Sequence, residues 1–122
     1  MGQLSPHFQS VESIVLSSGV VVVTVRGDAD LRNAPLLRSE LERLSYEGWR
    51  RAVIDLSEAT FIDSAALGTL MGAAKRERPL GGLLRIVAPN PHIRRMFELT
   101  LLDRLFGGLH TDVAEAVESL RI

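Results

Sequence analysis

The sequence predicts an α/β fold: a mixed β-sheet of about four or five strands flanked by about four helices. Three observations carry that prediction. The chain opens with two β-branched runs separated by a glycine-containing turn. Beyond residue 33, stretches with apolar residues three and four apart alternate with short runs that are apolar on both faces. Turn signals recur at short intervals, with no internal repeat, linker or low-complexity segment. The 122 residues are expected to form one domain, 1–122, large enough to bury roughly two-thirds of its unfolded surface without a staple.

Residues 11–16 and 20–25 flank "SSG" and read as an opening hairpin, followed by the loop "RGDAD" at 26–30. Asn33 is placed to cap a helix with Pro35 in its first turn; Leu37, Leu41 and Leu44 share one face, and Gly48 ends it. Beside that glycine, Tyr46 and Trp49 are expected in the core or half-buried. "RAVIDLS" is apolar on both faces, as a central strand is. A helix is predicted from Ser64 to about residue 78, where Pro79 and "GG" stop it, and "LLRIVA" supplies the next strand. Ile93, Met96 and Phe97 have helical spacing, "LDRLFGGL" reads as a last short strand, and Thr111 is placed to cap a final helix. The order is ββαβαβαβα, a parallel sheet with an antiparallel edge and right-handed crossovers.

Composition narrows function by exclusion. With 14 basic against 15 acidic residues and no like-charge cluster, nothing attracts nucleic acid or an anionic membrane. The absence of cysteine removes thiolate metal sites and cysteine nucleophiles. The start carries no basic and apolar leader pattern, and the longest apolar run falls far short of the ~20 residues of a membrane helix. A cytoplasmic protein without membrane insertion is expected, and no cofactor.

The stretch "TFIDSAALGTLMGAAKR" holds the candidate site. Leu67, Leu70, Met71 and Ala74 form the expected buried stripe of the helix. Ala65, Gly68, Thr69 and Gly72 share another face with Arg76, bare of side-chain bulk for two turns after Ser64. Each interior glycine costs about 1 kcal/mol relative to alanine, so something is expected to lie on this face: another element of the domain, or a partner. Asp63 and Ser64 are both preferred N-caps. A phosphoryl group on Ser64 would also stand at the positive end of the helix dipole, among unpaired N–H donors, and would reject a partner adapted to the neutral form.

These residues resemble the anti-sigma factor antagonist family, whose domain is called STAS. The resemblance covers nearly the whole chain: Val25, Gly27 and Asp30 of the early "V-x-G-x-x-D", then "AVIDLS", "FIDSAALGTLMGAAKR", "LLRIVAPNP" and "IRRMFELTLL". Within the signature Asp63, Ser64, Leu67, Gly68, Gly72, Lys75 and Arg76 match; Ala65 and Ala66 replace the usual hydroxyl residue and glycine, and Leu101 stands where many members have glycine. The resemblance implies a non-catalytic regulator with an anti-sigma factor/serine kinase as partner. Its unphosphorylated form binds that kinase and frees the sigma factor, phosphorylation of Ser64 ends binding, and a serine phosphatase restores it. Asp63 would then be the flanking acid, Asp30 part of the kinase-contacting surface, and the bare helix face the docking surface. Some such domains act instead as unphosphorylated interaction modules of transport or signalling complexes. A serine hydrolase is the poorer reading, because Ser64 lacks a G-x-S-x-G context and His7, His92 and His110 lack a triad-like one.

Overall fold

The computed structural model describes residues 10–121. Strand β1 (Ser10–Val15) pairs antiparallel with β2 (Val21–Ala29), joined through Gly19, whose φ of +86° suits the turn. Helix α1 (Ala34–Tyr46) and strands β3 (Arg51–Asp55) and β4 (Ala59–Ile62) follow. Helix α2 (Ser64–Glu77) ends in a 3-10 turn at Arg78–Leu80 and leads to β5 (Leu83–Val87). Helix α3 (Pro91–Leu99), the one-turn α4 (Leu102–Leu105), β6 (Leu109–His110) and α5 (Val113–Ser119) complete the chain.

The sheet order is β1-β2-β3-β5-β6, parallel apart from β1. Strand β2 is long enough to pair twice along one edge, with β3 over Val21–Thr24 and with β4 over Gly27–Ala29, the register shifting at Gly27/Asp28. The alternation of β2 separates two cores. Val21, Val23 and Val25 join Ile54, Ile86, Leu37, Leu41, Leu70, Ile93 and Phe97 beneath α1, α2 and α3. Val20 and Val22 face Val53, Val87, Ala116 and Leu120 beneath α5.

The mixed α/β architecture is as expected; the described residues hold six strands and five α-helices, against about four or five strands and about four helices expected. Several local expectations are corrected. Strand β2 runs through "RGDA", because pairing with β4 continues it past residue 25. The four-residue β4 was not foreseen; it gains strand structure only by pairing with β2. "LDRLFGGL" is mostly helix α4 and a glycine turn, and only Leu109–His110 pairs. Asp112, not Thr111, caps α5, accepting from the Glu115 amide at 2.8 Å. Asn33 sits at the N-cap of α1, but its side chain donates to the Asp28 carbonyl. Trp49 packs against the core as expected, whereas Tyr46 is 95% exposed, turned outward by the helix face opposite Leu37, Leu41 and Leu44. The stripe of α2 is Ala66, Leu67, Leu70 and Ala73, with Met71 and Ala74 only half-buried.

Two contacts fix the far end of α2. The buried Glu77 carboxylate accepts from Arg50 at 2.9 Å and from the Ser45 hydroxyl, tying α2 to the end of α1 and the approach to β3. A Cβ on Gly82 would stand 2.7 Å from Glu77, so the chain passes here as glycine only.

Candidate functional site at the head of α2

Asp63 and Ser64 divide the two roles that the sequence offered to both. Asp63 is the N-cap, its backbone extended. Its Oδ1 accepts from the amides of Ala65 at 3.0 Å and Ala66 at 3.1 Å; its Oδ2 accepts from the Leu31 amide at 2.9 Å. The carboxylate therefore fixes the start of α2 and clamps it to the loop after β2. Ser64, the first helical residue, is exposed, and its hydroxyl makes no hydrogen bond among the described residues. A reactive hydroxyl is thus presented on a rigid helix end. The expected cradle of unpaired N–H donors is reduced to the amide of Ser64 itself, however: the amides of Ala65 and Ala66 are held by the Asp63 carboxylate, and that of Leu67 donates to the Asp63 carbonyl at 3.0 Å. What remains for an anion is the dipole of the helix, whose first-turn donors are largely spent.

Behind the serine the α2 face is open. A Cβ built on Gly68 or Gly72 would meet nothing within 4 Å, so no element of the described chain rests there. That removes the internal explanation for two helix-interior glycines. Ala65, Gly68, Thr69 and Gly72 instead line a groove of about 430 Å3 with Arg76 and, from α1, Arg38 and Leu41. Thr69, which lines the groove, donates its hydroxyl to the Ala65 carbonyl at 3.1 Å. Ala66, where the family pattern has glycine, is fully buried and serves the core.

Asp30 lies beside this site, in the loop that Asp63 clamps, but its carboxylate is used locally. It accepts from the amides of Arg32 at 3.1 Å and Asn33 at 3.2 Å and pairs with the Arg32 guanidinium at 3.2 Å, with 16% of the side chain exposed. Asp30 shapes the loop more than it presents a charge.

A second groove, about 670 Å3, opens on the other side of Ser64, between β4 and α3. Its walls are Phe61, Ile93, Met96 and Leu99, with Asp63, Ser64, His92 and Arg95 around them. Phe61 and Leu99 are strongly exposed, at 51% and 65%. This groove was not foreseen from the sequence. The available signal was the spacing of His92, Arg95, Met96 and Leu99 on one helix face beside the buried Ile93 and Phe97, but its other wall needed β4. His92 shares the groove with Ser64, yet no hydrogen bond joins them and no carboxylate orients the imidazole, since Asp63 is committed to backbone amides. His110 pairs with Glu115 at 2.8 Å, next to α5, and His7 lies outside the described residues. Among the described residues, then, no serine, histidine and acid are chained as a hydrolase requires. None of their helices is long and apolar enough to cross a membrane.

Comparison with known proteins gives this geometry its context. A crystal structure of an anti-sigma factor antagonist from Mycobacterium paratuberculosis matches with a TM-score of 0.88 at 28% identity, covering 98% of this chain and 100% of that one. The anti-sigma-B factor antagonist of Bacillus subtilis strain 168 is 29% identical over 80 residues, 66% of this chain and 72% of that protein. The Bacillus cell fate determinant SpoIIAA in its phosphorylated form shares the fold, with a TM-score of 0.73 at 18% identity, covering 92% of this chain and 100% of that one. Residues 13–116, from β1 into α5 and including Asp30, Ser64 and the whole open face of α2, match the STAS domain, and the chain belongs to that family.

Proposed function

We propose that the protein is an anti-sigma factor antagonist that works by partner switching. The observation that carries this reading is the free hydroxyl of Ser64 at the head of an uncovered helix face. The similarity to proteins named as anti-sigma factor antagonists supports it. In the unphosphorylated state an anti-sigma factor that is also a serine kinase lays a surface along Ala65, Gly68, Thr69, Gly72 and Arg76. The loop held by Asp30 and Asp63 lies at the edge of that contact. The closeness of approach that two glycines permit makes the contact specific, and the sigma factor is released.

The bound kinase then transfers the γ-phosphoryl group of its ATP to Ser64. The Oγ–P bond forms as the bond to the ADP oxygen breaks, and the hydroxyl proton leaves to a base of the kinase. The added charge of about −2 faces a partner surface matched to a neutral hydroxyl, and desolvating it there ends binding. A serine phosphatase hydrolyses the phosphoester and resets the protein. Nucleotide and metal belong to those partners, and the chain is a cytoplasmic binding protein without catalytic turnover of its own. Incubation with the cognate kinase and ATP, followed by mass spectrometry, is expected to show one phosphoryl group, on Ser64. An unmodified Ser64 after complete kinase turnover would overturn the switch.

A further inference from the structure

We propose that Arg95 is the receptor for a phosphoryl group on Ser64, holding it across the mouth of the groove between β4 and α3; this rests on the reading of Ser64 as the phosphoacceptor. The first reason is the reduced cradle. With the amides of Ala65, Ala66 and Leu67 already taken, a phosphate on Ser64 finds little on its own helix to hydrogen-bond. The second is an unspent cation in the same cavity. Arg95 lines the groove with Ser64 and, among the described residues, makes no ion pair or hydrogen bond through its guanidinium, whereas the neighbouring Arg94 is spent on the Ala88 carbonyl at 3.3 Å.

The charged and titratable groups lining the groove are Asp63, His92 and Arg95. Asp63 directs its carboxylate oxygens onto three backbone donors, and Arg95 is the permanent cation of the groove. Helix α3 is anchored by the Asn90 cap and by the buried Ile93 and Phe97, so the backbone of Arg95 is fixed while its exposed side chain is free to swing. A guanidinium presents a planar fork that matches two phosphate oxygens at once, which makes it the natural group for this role. The consequence goes beyond added charge. With the phosphate bridged to Arg95, the mouth of the groove closes over Phe61, Met96 and Leu99, and a partner loses an apolar surface together with the neutral hydroxyl.

The test uses full-length protein with phosphoserine installed at position 64 during translation, so that no kinase is needed. Phosphorus NMR then follows the second ionisation of the phosphate, in a His92→Gln background that removes the imidazole from the groove. The expected midpoint lies about half a pH unit or more below that of the same protein also carrying Arg95→Gln. Arg78→Gln, which removes an exposed cation outside the groove, is expected to leave the midpoint in place. Equal midpoints with and without Arg95, or an equal change from Arg78→Gln, would overturn the proposal. Failure of the kinase assay would overturn the switch without moving this titration, and equal midpoints would leave the switch standing.

Discussion

At the scale of single residues, Leu101 pays a conformational cost that the family pattern avoids. Its φ of 60° and ψ of 15° lie in the left-handed region, where a β-carbon is crowded and glycine is not, and its side chain is 58% exposed. Leu101→Gly is therefore expected to stabilise the fold by about 0.5–1 kcal/mol in urea denaturation, strain relief outweighing glycine's extra unfolded-state entropy. Asp63 is the opposite case: Asp63→Ala leaves the Ala65, Ala66 and Leu31 amides without their acceptor and is expected to cost about 1–2 kcal/mol. Ser64→Ala should leave stability within about 0.5 kcal/mol, since that hydroxyl makes no hydrogen bond among the described residues. The sequence placed the cap within a two-residue window and no closer, because aspartate and serine cap equally well. Only the backbone angles of residue 63 decide which side chain turns back onto the helix and which points away.

At the scale of elements, the bare face of α2 was legible, because helical spacing alone aligns Ala65, Gly68, Thr69 and Gly72. Whether it was covered was not, since that depends on where α1 and the sheet lie. Its openness yields a prediction with two opposed signs. Gly68→Ala should raise stability by about 0.5–1 kcal/mol through helix propensity, with room for the methyl group, and should weaken partner binding by blocking close approach. Strand β4 was illegible for a physical reason: four residues hold strand geometry only against the bulged end of β2, so the groove it forms with α3 could not be seen either. Helix α1 carries its own pH dependence. The Arg43 guanidinium, with help from the Ser13 hydroxyl, holds the Glu40 carboxyl below its ordinary value of 4.5. A depressed folded-state value contributes stability that is present above pH 4.5 and lost as the pH falls through the lower folded value. Glu40→Gln should remove about 0.5 kcal/mol at pH 7 and flatten that acid limb in pH-dependent denaturation.

At the scale of the whole molecule, the parallel sheet gathers the site. The Asp30 loop follows β2, Ser64 follows β4 and His92 follows β5, so three separate segments meet beyond the carboxyl ends of parallel strands, the usual location of sites in such sheets. The core stripes and the parallel sheet with its antiparallel edge were legible, because long β-branched runs and leucine stripes leave few ways to bury themselves; the strand order was not. In the proposed switch, this end of the molecule binds a partner through a neutral Ser64 and an open α2 face, and charge at residue 64 ends the binding. Calorimetric titration of the anti-sigma factor with wild type, Ser64→Ala and Ser64→Asp decides between the two states of that switch. Affinities for wild type and Ser64→Ala are expected to agree within a few-fold, with a loss of at least about tenfold, or 1.4 kcal/mol, for Ser64→Asp. Equal affinity of the alanine and aspartate variants would contradict it.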